Sequence, residues 1–231
     1  FQPITIKSVT ARNGIVVPPL CQYSAVDGIP NDWHLVHYGS YARGGVGTIF
    51  IEATGVEPRG RISHGCLGIW DDEHGAALQP LVNIMKRHGA VPGIQIAHAG
   101  RKASTQRPWN GLGALNDDDI ARGDVPWEVV GPSPIPADDG WLVPKQLDEA
   151  EIGEIVKAFG QAARRSHEAG FEALEIHGAH GYLIQSFLSP LSNKRNDGYG
   201  GDLAGRMRLA LEVTNEVRGQ WPDDKPLFFR V

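Results

Sequence analysis

Five short runs of branched apolar residues recur along this 231-residue chain, and between them lie stretches with the period of amphipathic helices. The runs are Gly14–Pro18, Val46–Ala53, Val91–His98, Ala173–His177 and Pro226–Val231; the helical stretches are Leu35–Ala42, Glu73–His88, Asp148–Ala169 and Leu203–Gly219. Strands that read as continuous apolar runs are buried on both faces, and a helix between successive strands brings the chain back to a parallel neighbour. The expected fold is therefore α/β, a (β/α)8 TIM barrel of which about the first five β/α units lie in this chain. Residues 1–231 are read as the N-terminal part of one barrel domain, with three more units needed to close the sheet. An open hydrophobic edge invites aggregation. The remainder is thus expected as a complementary C-terminal fragment or as the rest of a longer polypeptide, which at full length is expected to be a homo-oligomer.

Local signals agree with these boundaries. Asp148 and Glu151 have capping-box spacing at the start of the third helix, and Gly89 and Gly170 follow the second and third helices, where a left-handed residue is usually needed. One segment breaks the rhythm. Residues 104–146, rich in Pro, Gly, Asp and Trp, hold neither period and are expected to form an excursion over the barrel mouth, the alternative being a mobile surface insertion.

Composition narrows the chemistry. An apolar share of 41% fills a real core, and a net charge of -5 with interspersed signs offers no basic stripe for nucleic acid or an anionic membrane. Two cysteines, Cys21 and Cys66, are too few for a disulfide framework, no apolar run reaches the length of a membrane span, and the start at Phe1-Gln2-Pro3 is not expected to be a signal peptide. A soluble cytoplasmic protein acting on a small molecule is expected. The missing initiator Met suggests a trimmed chain.

In a parallel barrel the active face lies at the C-terminal strand ends. The polar groups there are Cys21 and Tyr23, Glu52 and Thr54, Gln95, His98 and Lys102, then His177, His180 and Tyr182, and finally Arg230. His177 and His180 form the densest cluster: two imidazoles at this spacing bind a metal with Glu175, donate to one oxygen as charge develops on it, or simply satisfy a strand end. Gln95 and Lys102 are poor metal ligands, which disfavours the first option. Gly178 and Gly181 let the chain bend there. Tyr182 is a candidate proton donor or a rim aromatic, and Tyr23 a second donor or another rim aromatic. Gln95 points opposite to Ile94 and Ile96, where a heterocycle with alternating donors and acceptors would satisfy its amide. Arg230 would hold an anionic ring locus or pair with Glu175 or Glu52. Cys21 tunes a redox ring or packs as a structural thiol.

These residues sit in ordered blocks: Asn13 through Tyr23, Ile51-Glu52-Ala53-Thr54, Gln95 through Lys102, His177 through Leu183, Ser189 through Asn193, and Arg195 through Gly201. Over its whole length the chain resembles the Old Yellow Enzyme family of FMN-dependent ene-reductases, in the class of bacterial xenobiotic reductases and NADPH dehydrogenases. The resemblance implies FMN across the barrel mouth, touched by Pro18, Pro19, Leu20, Cys21, Ala53, Gln95 and Arg230, with NADPH or NADH as reductant. It implies that His177 and His180 hold the oxygen of an electron-poor alkene, that Tyr182 donates a proton opposite the flavin hydride, and that Tyr23 and Lys102 line the substrate side. The implied reaction is reduction of the activated C=C bond of α,β-unsaturated carbonyl or nitro compounds. Alternatives are a related flavin oxidoreductase of the enoyl-thioester reductase type, or a noncatalytic barrel fragment needing a complementary chain. The FMN phosphate is expected beyond Val231. One departure is Ala204-Gly205-Arg206, where the family often has Glu-Asn-Arg, expected to alter a helix start.

Overall fold

A computed structural model describes all 231 residues. The chain begins with an antiparallel hairpin, β1 (Ile4–Ile6) and β2 (Val9–Ala11), then enters a five-stranded parallel sheet. Its strands are β3 (Val16–Val17), β4 (Thr48–Gly55), β5 (Val91–Ala97), β8 (Ala173–His177) and β9 (Leu227–Arg230), adjacent in that order. Each is joined to the next by a crossover containing a helix: α1 (Asp32–Arg43), α2 (Asp72–Arg87), α4 (Glu149–Glu168) and α6 (Leu203–Gln220). This is a partial (β/α)8 barrel, with sequential strands side by side.

The sheet has two apolar faces for different reasons. Ile49, Ile51, Ile94, Ile96, Leu174 and Ile176 point outward into a core shared with Leu78, Leu81 and Met85 of α2 and Phe159 of α4. Truncating a side chain as enclosed as Phe159, which is fully buried, costs about 3–5 kcal/mol. Phe50, Glu175 and Phe228 face inward, around a cavity of about 320 Å³ that the β1–β2 hairpin lines with Ile4, Ile6, Val9 and Ala11.

Helix ends follow from side-chain chemistry. Asp148 accepts from the Glu151 amide and Glu151 reaches back, as its spacing predicts. Gly89 and Gly170 have φ of 77° and 96°. Helix α1 starts three residues before the expected Leu35, because Asn31 caps it in a box closed by the His34 side chain rather than by Glu or Gln. Asp202 caps α6 by accepting from the Gly205 amide at 2.9 Å, and a Cβ on Gly205 would meet the Gly200 carbonyl. That contact gives a steric reason for the small residue at the departure from the family pattern.

Segment 104–146 contains a short helix, α3 (Asp117–Ala121), and a two-strand pair, β6 (Val130–Gly131) with β7 (Lys145–Gln146). It is tied down rather than loose. Trp127 donates from its indole to the Arg59 carbonyl at 3.0 Å, Arg101 to the Ile135 and Pro136 carbonyls, and Arg195 to the Pro132 and Leu147 carbonyls. A further helix, α5 (Leu183–Leu188), lies between β8 and α6.

Candidate active site

The segment after β3 is held by a buried carboxylate. Glu52 Oε2 accepts from the Gln22 amide at 3.1 Å, its backbone amide donates to the Tyr38 hydroxyl at 3.0 Å, and His34 Nε2 lies 3.4 Å from Oε1. Glu52, Tyr38 and His34 are all buried. Glu52 therefore looks toward α1, and the sequence-level pairing of Glu52 with Arg230 does not form.

That orientation depends on a bulge. Ile51 pairs with Ile94 but Ala53 pairs with Gln95, so Glu52 is the extra residue in β4. Strict alternation would put Ala53 on the same face as Ile49 and Ile51; the bulge re-aims it to the mouth beside Gln95. Gln95 Nε2 in turn donates to Glu175 Oε1 at 2.6 Å across the β5–β8 pair. The partner of Glu175 is thus Gln95, with Arg230 acting on it only through space. Burial pushes the Glu175 carboxyl up, against the hydrogen bond from Gln95 and the charge of Arg230. The Gln95 carbonyl and one amide hydrogen remain for a ligand.

The loop after β8 carries the imidazoles. Gly178 is needed there for close approach, since a Cβ would run into the Phe229 ring; the turn itself is made by His180 at φ 61° and Gly181 at φ 78°. A left-handed non-glycine residue costs about 1 kcal/mol, a strain tolerated where a side chain must be aimed. His177 Nδ1 accepts from the Ala179 amide at 3.2 Å, so its proton sits on Nε2, which lies 3.3 Å from His180 Nδ1. The chain of donors ends at His180 Nε2–H. Burial, with the nearby charges of His180, Arg230 and Lys102, holds His177 down to about 4, and burial also lowers His180. Both rings are neutral at neutral pH.

Tyr182 packs edge-on against His177 with centroids 4.9 Å apart, and the Lys102 ammonium lies 5.4 Å from its ring. Burial pushes the Tyr182 phenol well above its usual range, as it does that of Tyr23. Lys102 Nζ donates to the His180 carbonyl at 2.9 Å, tying the β5 loop to the β8 loop. A second tie runs through His98, whose Nδ1 accepts from the Gly100 amide and whose Nε2–H donates to Glu57 Oε1 at 2.7 Å. Burial raises Glu57, but hydrogen bonds from His98 and Arg59 outweigh it and hold the carboxyl at about 2.

Cys21 is half-buried and Cys66 is buried. Interaction with the Cys66 thiol and burial push Cys21 up, while interaction with the Cys21 thiol draws Cys66 down. The Cys66 sulfur accepts from the Ser63 amide at 3.4 Å.

Pro19, Cys21, Ala53, Gln95, His177, His180, Tyr182 and Arg230 line one recess of about 80 Å³, joined by Ile62. Pro18 lies next door in the inner cavity, which also reaches Pro19 and Arg230. Leu20 turns its side chain out to solvent, 54% exposed, and its carbonyl accepts from Gln22 Nε2. Tyr23 and Lys102 line a second cavity on the far side of Tyr182. Ile62 reaches the recess from the loop well beyond the end of β4, and as an apolar loop residue it carries no local signal in the sequence. No group of three or more His, Cys, Asp or Glu side chains is placed to hold a metal ion. No helix is long and apolar enough to cross a membrane.

Residues 1–231 match the NADH:flavin oxidoreductase / NADH oxidase family, and the chain belongs to that family. It is 46% identical over 233 residues to the NADPH dehydrogenase of Geobacillus thermodenitrificans, covering 100% of this chain and 62% of that protein. Among solved structures, morphinone reductase superposes with a TM-score of 0.83 at 26% identity, over 99% of this chain and 61% of its own; it has also been solved with tetrahydroNAD. An old yellow enzyme homologue from Zymomonas mobilis gives 0.83 at 28% identity, over 99% and 62%. The chain thus spans about three fifths of the relatives it matches. The family is one of FMN-dependent oxidoreductases that use a nicotinamide cofactor, with Old Yellow Enzyme-type barrels among its structural neighbours. The residues here fit that flavin: an amide with a free acceptor and donor, a guanidinium and a half-buried thiol border the same recess.

Proposed function

We propose that residues 1–231 form the N-terminal part of a single FMN-binding barrel domain whose whole protein reduces the activated C=C bond of α,β-unsaturated carbonyl or nitro compounds. The observation that carries this reading is the convergence of His177, His180 and Tyr182 on the recess that Cys21, Ala53, Gln95 and Arg230 border. When bound, FMN supplies the two-electron chemistry. Pro18, Pro19, Leu20, Cys21, Ala53, Gln95 and Arg230 would hold it, the Gln95 amide and the Arg230 guanidinium offering it polar partners.

A substrate oxygen takes the place of His180 Nδ1 as acceptor of the His177 Nε2–H, and the His180 Nε2–H supplies a second bond. Two neutral donors strengthen their bonds as enolate-type charge grows on that oxygen, so they stabilise the transition state more than the bound substrate. The Tyr182 hydroxyl stays protonated because burial disfavours its phenolate. It can therefore deliver the proton at the α-carbon. Tyr23 and Lys102 line the substrate side.

The test is spectroscopic and uses the full-length polypeptide with FMN. A yellow protein that bleaches with NADPH under anaerobic conditions, and recovers its colour on adding 2-cyclohexenone, supports alkene reduction. Bleaching without recovery for any unsaturated ketone, maleimide or nitroalkene would exclude it.

A further inference from the structure

Beside the recess lies a second cavity of about 340 Å³ that meets it at Ile62 and Tyr182. Its walls are Tyr23, Ile62, Leu112, Ala137, Trp141 and Tyr182, so three aromatic rings and three aliphatic side chains enclose it. Leu112, Ala137 and Trp141 come from segment 104–146, well away from the strand ends that define the reacting centre.

The polar groups in this chamber are mostly spent. Thr105 donates its hydroxyl to the Ile62 carbonyl at 3.0 Å. Gln106 donates to Asp119 at 2.7 Å and accepts from the Gly113 amide at 3.2 Å. Lys102 gives one of its three hydrogens to the His180 carbonyl, and Asp138 accepts from the Asp139 amide. What is left is a chamber with aromatic and aliphatic walls that also carries two charges, the Lys102 ammonium and the Asp138 carboxylate. Its aromatic and aliphatic walls select by shape and apolar area, beside the two charged groups.

We propose that this chamber is a distal subsite that receives an aryl or other flat apolar substituent of the substrate, and that Trp141 is a specificity-determining residue of the 104–146 segment. The inference rests on the placement of the substrate at the recess, since the chamber is reached across Ile62 and Tyr182. A ligand whose polar head lies at His177 and His180 extends past Tyr182 and sets its ring against the Trp141 indole. Lys102, next to the junction, is left to donate to an acceptor on the connecting group.

Binding is measured by calorimetry on the full-length FMN-loaded protein, with succinimide and N-phenylsuccinimide as ligands, because neither has a reducible C=C bond. The wild-type protein should prefer the phenyl compound, and Trp141→Ala should reduce that preference about tenfold, the scale on which apolar pockets discriminate. Trp141→Phe, which restores a flat ring, should recover most of it. An equal phenyl preference in wild type and Trp141→Ala, or none in the wild type, overturns the subsite. Turnover of maleimide by the wild-type protein is read separately. Its failure counts against alkene reduction and leaves the binding comparison intact.

Discussion

His177 Nε2 lies 3.3 Å from His180 Nδ1, and the Ala179 amide donates to the opposite nitrogen of the His177 ring. The pair is therefore ordered as two neutral rings in series, not as two independent donors already aimed at one point. A ligand oxygen must break the bond between them to receive both hydrogens. That rearrangement is small, because one ring rotation frees the His177 proton.

His177 has a folded-state pKa of about 4, below the ordinary histidine value of about 6.5. Between those values the unfolded chain binds a proton that the folded chain refuses, so the contribution of His177 to stability is present above about pH 6.5 and is lost as pH falls toward 4. The loss is on the order of 3 kcal/mol for a shift of this size. Denaturant melts at pH 7 and pH 4.5 should show a smaller difference in His177→Asn than in the wild type. An identical difference in both proteins would mean that His177 titrates normally.

Glu57 has the same sign through a different cause. Its carboxyl, held at about 2 by His98 and Arg59, stabilises the fold above pH 4.5, and this contribution fades as pH drops toward 2. Glu57→Gln should destabilise the chain by roughly 2–3 kcal/mol at pH 7 and much less at pH 2.5, the bond to His98 losing its charge assistance. Melts at the two pH values check it, and a pH-independent loss would contradict the linkage.

Tyr182→Phe removes a proton donor and little contact area. In the full-length FMN-loaded protein, the rate at which an unsaturated ketone reoxidises the reduced flavin should fall about a hundredfold, with substrate affinity nearly unchanged. Because burial raises the Tyr182 phenol, the wild-type rate should show no loss assignable to Tyr182 below pH 10. Rapid-mixing absorbance at 460 nm or so follows the reaction. An unchanged rate would remove Tyr182 as the acid.

The strands β4, β5 and β8 are legible in the sequence because their residues are buried on both faces, which leaves unbroken apolar runs such as Ile49-Phe50-Ile51. The positional rule for parallel barrels then selects Cys21, Gln95, His177, His180, Tyr182 and Arg230, which do meet, and Tyr23 and Lys102, which line the neighbouring cavity. It also selects Glu52, Thr54 and His98, whose side chains are claimed by Gln22, the Glu52 carbonyl and Glu57, and it does not select Ala53, which only the family resemblance implied. What the sequence hides is decided by tertiary contact. The bulge at Glu52 depends on Tyr38 and Gln22 claiming its side chain and amide. Helix α5 has six residues and no side-chain cap, so Leu183–Leu188 carries no readable period. The β1–β2 hairpin turns at Lys7 with φ 53°, without the Gly or Asn that usually marks such a turn. Ile62, Leu112 and Trp141 line the cavity beside Tyr182 as apolar loop residues, for which no local pattern exists.

Binding of the reducible substrate's oxygen by the two imidazoles is tested most directly by separating the half-reactions of the His177→Ala, His180→Ala double variant. Its flavin should still be reduced by NADPH at close to the wild-type rate, while reoxidation by 2-cyclohexenone should slow by at least about a hundredfold, as for loss of oxyanion donors. Equal loss in both half-reactions, or wild-type reoxidation by the ketone, would contradict the assignment.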